Sequence, residues 1–104
     1  MTRRPPKEHL DELIEQVIVD AYTDEEQLSS FQMMIGDNLA VPFETNMLGL
    51  QVTVTAIDFR VGSGIVAICR HGRQRQAIGI LDLPLPDPPP AGAEWIDAYR
   101  RWAG

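Results

Sequence analysis

Oxygen ligands are the chemistry this chain offers most readily. Asp20, Asp24, Glu25 and Glu26 fall in one short stretch, and hard cations such as Ca²⁺ take roughly six to eight oxygens from carboxylates and nearby carbonyls. Acids at a helix start also complement the macrodipole, and Glu26 can close a helix cap, so this cluster has a structural reading beside the metal one. Its spacing does not match an EF-hand loop. Asp37-Asn38 is better placed: two adjacent oxygen-bearing side chains follow Gly36, on an expected turn where they can converge with free carbonyls. An Asx turn that satisfies the backbone is the competing reading. Asp58 is the only acid between Thr45 and Leu81. It stands at the close of an expected strand, either as a third ligand from the sheet or as an ion-pair partner of Arg60.

Other reactive residue types point away from catalysis and nucleic acid. His9 and His71 are the only histidines, and neither comes with a recognisable nucleophile or acid pair, so no enzymatic activity is expected. Cys69 and His71 lie at i and i+2 on one face of an expected strand, but without further cysteines Cys69 reads as a buried structural thiol. Arg70, His71, Arg73 and Arg75 surround an expected hairpin that lacks aromatic residues for base stacking, so no nucleic-acid partner is expected. Pro86-x-x-Pro89 is the minimal pattern for polyproline grooves. Leu83 and Leu85 nonetheless suit inward packing, so the segment reads first as a rigid connector.

These residues must be positioned by a mixture of helices and strands. Leu10, Leu13, Ile14, Val17, Ile18 and Ala21 recur at helical spacing, which predicts a first helix over residues 7–22. Thr23 and Glu26 form a capping box that starts a second helix with Leu28, Phe31, Met34 and Ile35 on its apolar face. Gly36 is expected to end that helix in the left-handed conformation, leaving Asp37-Asn38 just beyond it. From Leu50 the period changes to two, with Val52, Val54 and Ala56 on one face of a strand. Strands over residues 64–70 and 74–81, joined through Gly-containing turns, complete an antiparallel meander, and Val41-Pro42-Phe43 is a candidate edge strand. After the prolines, Trp95, Ile96, Tyr99 and Trp102 predict a short closing helix. The expected class is α+β.

Composition bounds the function classes. At 104 residues and 44% apolar side chains the chain is expected to form a single domain, residues 1–104, without metal or disulfide staples. Its basic lead-in, residues 1–6, is expected to be disordered. One cysteine fits a reducing, cytoplasmic address, and no apolar run approaches a membrane span, so no membrane partner is expected. Residues 1–44 carry ten acids against three bases, whereas residues 45–81 carry one acid against four bases. An acidic first half favours cation binding, or docking on a basic partner, over general binding to phosphate backbones.

An ordered string of motifs adds a resemblance. Val17-Ile18-Val19-Asp20-Ala21-Tyr22, Asp24-Glu25-Glu26-Gln27, Asp37-Asn38-Leu39-Ala40-Val41-Pro42-Phe43 and Leu48-Gly49-Leu50-Gln51-Val52 are followed by Ile65-Val66-Ala67-Ile68-Cys69, Ile80-Leu81-Asp82-Leu83-Pro84 and Gly92-Ala93-Glu94-Trp95-Ile96. From about Leu13 to Trp102 the chain resembles the small acidic calcium-binding family first associated with heterocyst-forming cyanobacteria. That resemblance implies a cytosolic protein that binds Ca²⁺ without EF-hands and buffers or senses it, with no catalytic activity. Carried onto this chain, it puts Asp37 and Asn38 first as metal ligands, then Asp58, then Asp20 and Asp24. The hairpin from Arg70 to Arg75 departs from the family's heavier acidity. A protein-interaction module, docking through the acidic helix face or the proline segment, is the alternative.

Overall fold

A computed structural model describes residues 6–104; the expectation of a disordered start for residues 1–5 lies outside them. The order is α1 (Lys7–Ile18), α2 (Asp24–Asn38), β1 (Phe43–Met47), β2 (Leu50–Arg60), β3 (Gly64–His71), β4 (Gln74–Gly79), a 3-10 turn (Ile80–Asp82) and α3 (Glu94–Ala103). The strands form one antiparallel sheet in the order β1-β2-β3-β4. The fold is α+β, with helices at both ends of the chain around a four-stranded meander.

The helices cover one face of the sheet. Leu13 and Val17 of α1, Phe31 and Ile35 of α2, and Ile96 and Ala98 of α3 share a core with Val52, Val54, Ile65, Ala67 and Cys69. One sheet plus one helical layer accounts for the shortest molecular dimension of 22 Å. A bulge between Val54 and Ala56 shifts the ladder by one residue. Because side chains alternate, that shift points Ile57 toward the core and leaves the expected core residue Ala56 exposed.

Two helix ends differ from expectation, each for a local reason. The first helix stops at Ile18 rather than near residue 22. Thr23 caps α2 by accepting from the Glu26 backbone N–H at 3.1 Å, while the Glu26 carboxylate accepts from the Tyr22 N–H at 3.3 Å. That reciprocal cap needs extended backbone at Thr23 (φ −117°, ψ 161°), which a continuous helix would forbid. The second helix runs past Gly36 to Asn38. Phe31, Ile35 and Leu39 repeat every fourth residue and are all buried; burying Leu39 gains about 1.5 to 3 kcal/mol, more than the ~1 kcal/mol cost of an interior glycine.

The expected edge strand is in place but lies later, as Phe43–Met47. It turns into β2 through Leu48 and Gly49, both at positive φ (50° and 81°), as a tight hairpin with primed geometry requires. The last expected strand ends at Gly79, two residues early, because the 3-10 turn takes Ile80 into the core. The proline segment then runs beside β1: Leu83 is buried, and the buried Thr45 hydroxyl donates to the Pro84 carbonyl at 2.7 Å. It is a packed connector.

Candidate metal centre

Asp37 and Asn38 occupy the last turn of α2, not a turn beyond it. Both are exposed. The Asn38 Nδ2 donates to the Met34 carbonyl at 2.8 Å, which leaves Oδ1 as the free acceptor of that amide. Leu39 N–H returns to the Ile35 carbonyl and Ala40 N–H goes to the Ala91 carbonyl, so the Gly36 and Asp37 carbonyls receive no backbone N–H among the described residues. No basic residue stands in this last turn, although a helix carboxyl end carries partial negative charge. An acid there adds like charge to like, and a cation reverses the sign of both interactions.

Asp20 and Asp24 sit at the other end of α2, Asp20 in the connection from α1 and Asp24 as the first helical residue. Both are exposed. Much of the junction's oxygen is already used: Glu26 caps, and Gln27 Nε2 donates to the Ala21 carbonyl at 3.2 Å. Asp24, Glu25 and Glu26 share the first turn, where negative charge stabilises the helix without a metal.

Asp58 pairs across the sheet with Val66. By alternation its side chain lies on the face opposite Ile57 and the helices. It holds Arg60 at 3.6 Å and accepts from the Phe59 N–H at 2.8 Å. The ion-pair reading of the sequence describes its surroundings.

These candidates do not converge. Asp37 stands thirteen positions along the helix from Asp24, about 20 Å at the α-helical rise, and Asp58 faces away from both. Among the described residues no three His, Cys, Asp or Glu side chains gather in a metal-holding group. No buried side-chain nitrogen or oxygen among them lacks a partner, so no dry interior site awaits an ion. At the end of α2 the donors fit Ca²⁺ in kind: Asp37 carboxylate, Asn38 Oδ1 and main-chain carbonyls are all hard oxygens. They fall short in number, so water must complete the shell.

One oxygen-lined feature escaped the sequence reading. Glu44, Asn46 and Gln51 meet Pro84, Leu85 and Pro86 in an open cleft of about 350 Å³. Gln51 donates to the Glu44 carboxylate there. Its two walls lie some forty residues apart in the chain, and no local spacing announces that meeting. Cys69 is a free, buried thiol, and burial pushes its pKa up, which disfavours the thiolate. His71 is exposed, with Nδ1 2.9 Å from the Gln51 carbonyl.

Comparison with known proteins places this arrangement. No curated protein and no solved structure matches the chain. A calcium-binding family model, CcbP, matches residues 11–103. The matched stretch reaches into every helix and strand described above, and the chain therefore belongs to the CcbP calcium-binding family.

Proposed function

We propose that the protein binds Ca²⁺ at the carboxyl-terminal end of α2, through Asp37 and Asn38, and serves as a cytoplasmic Ca²⁺ buffer or sensor without catalytic activity. The observation that carries this reading is the uncompensated negative end of α2: an acid and a free amide oxygen in a last turn with no base and with open carbonyls. Asp24 and Asp58 are subordinate ligand candidates, because one stands at a helix start and the other in an ion pair, and Asp20 is subordinate because it lies beside the positive end of α2. A surface site completed by water suits weak, readily reversible binding, in the range from micromolar to millimolar.

Calorimetric titration with CaCl₂ against a MgCl₂ control tests it. Heat above dilution with Ca²⁺, exceeding that with Mg²⁺, is the expected result. Absence of such heat at millimolar Ca²⁺ overturns the reading. A sensor must also change beyond its site, whereas a buffer need not. Amide shifts spreading from α2 into α3 on Ca²⁺ addition would assign the sensor role.

A further inference from the structure

The sheet ends at β4 with an edge that no other element pairs. Among the described residues, no backbone hydrogen bond outside the helices and strands involves residues 74–79, and Gln74, Arg75, Gln76 and Ala77 are exposed. Such an edge offers its free N–H and C=O groups to any extended chain.

The two faces flanking this edge differ in chemistry. Arg70 and Arg75 stand directly opposite each other across β3 and β4, on the face away from the helices. Like charges so placed destabilise a ladder, and neither arginine is ion-paired to a described residue. Arg60 adjoins Arg75 along an open cleft that also includes Ile68 and Ala77. On the other face, Met47, Leu50, Val52 and Ile78, with His71, Gln74 and Gln76 on the side toward β4, line a mainly apolar groove of about 190 Å³ made by strand and hairpin residues alone.

We propose that β4 is a docking edge for an extended acidic segment of a partner protein, added to the sheet as a fifth strand. Successive side chains of an added strand point to opposite faces. The occupant selected by this surface therefore alternates, with acids against Arg70 and Arg75 and apolar residues toward the groove. The described acids of the chain's first half do not reach this edge: they lie in and between α1, α2 and β1, and β1 is the opposite edge of the sheet.

The test is an amide-shift titration of the full chain, with chelator present, using an octapeptide of alternating Glu and Val. An octapeptide of alternating Lys and Val is the control. Expected shifts centre on residues 70–79 with the acidic peptide and are absent with the basic one. Arg75→Glu turns the facing pair into an attractive one, so the variant keeps its fold, and it should weaken binding about tenfold. Arg75→Gln should weaken it about threefold. No shift at millimolar peptide overturns the proposal and leaves the arginines as guards against strand pairing. Equal shifts with both peptides overturn it by removing the role of charge. Shifts in β4 that grow with protein concentration and without peptide assign the edge to a second copy instead.

Discussion

At the residue scale, Asp37 and Asp24 are the same side chain at opposite ends of one helix, and the helix gives them opposite consequences. In chelator, Asp37→Ala should raise stability, and Asp24→Ala lower it, each by a few tenths of a kcal/mol to about 1 kcal/mol, as thermal unfolding will show. With Ca²⁺ the ranking changes: Asp37→Ala should weaken binding, and Asp24→Ala should leave it near the parent's. If folded Asp37→Ala binds Ca²⁺ as the parent does, the ion sits elsewhere. The Arg101 guanidinium, 2.7 Å from Asp11, holds that carboxyl below its usual range. A carboxyl lowered by folding adds stability above its unfolded titration range and loses it as pH falls through the folded one. Both groups are exposed, so the contribution is small and weakened by salt. Carboxyl NMR should show Asp11 titrating at higher pH in Arg101→Ala; an unchanged Asp11 would refute the pairing in solution. Cys69 was legible in the sequence as a buried thiol, because a lone cysteine inside an apolar run has little else to be. Asp58 was legible only as an alternative, since a bulge three residues earlier decides which face it takes.

At the element scale, local chemistry was readable and its endpoints were not. The cap from Thr23 to Glu26 formed where the residue types put it, because both partners lie within one helical turn. Gly36 misled, because its preference for a helix end is weaker than the burial of Leu39 three residues later. Ala56 misled in the same manner: the period-two pattern continues through it, but the bulge is set by pairing with β3, which no local window contains. The consequence of α2 running to Asn38 is a tight junction with the start of α3. Gly92 lies at φ +89°, and a Cβ there would fall 2.0 Å from the Asn38 carbonyl oxygen. Gly92→Ala should therefore lower stability by about 2 kcal/mol or more, a combined clash and left-handed strain measurable by denaturant unfolding. A loss below about 0.5 kcal/mol would mean that the two helix ends can separate freely. Trp95 is 8% exposed, and Trp95→Ala should cost about 3 to 5 kcal/mol. A loss under about 1 kcal/mol would show that α3 is not anchored by that ring.

At the scale of the whole molecule, the helix-on-sheet architecture followed from periodicities that each occupy a single segment, and the candidate site did not. Ligands for one ion must meet in space, and the acids of this chain are strung along both ends of α2 and the far face of the sheet. The cleft between β1 and the proline segment, like the free edge at β4, exists only after the chain has folded back on itself. Three aromatic rings tie the ends of the chain together: Phe31 lies 5.5 Å from Tyr99 and 5.0 Å from Trp102, centre to centre. Gln27 completes that tie with one amide, donating to the Ala21 carbonyl and accepting from the Trp102 indole N–H at 2.9 Å. That amide makes the molecule its own optical gauge, since indole emission responds to the hydrogen bond and solvent at its nitrogen. In a Trp95→Phe background, an ion held beside Asp20 and Asp24 would disturb the Ala21 to Gln27 to Trp102 relay and shift the emission maximum. An ion at Asp37, about 15 Å along the helix from Gln27, leaves that relay intact and should move the Trp102 emission less than an ion beside Asp20 and Asp24 does, while calorimetry still registers binding, so one cuvette can tell the two ends of α2 apart.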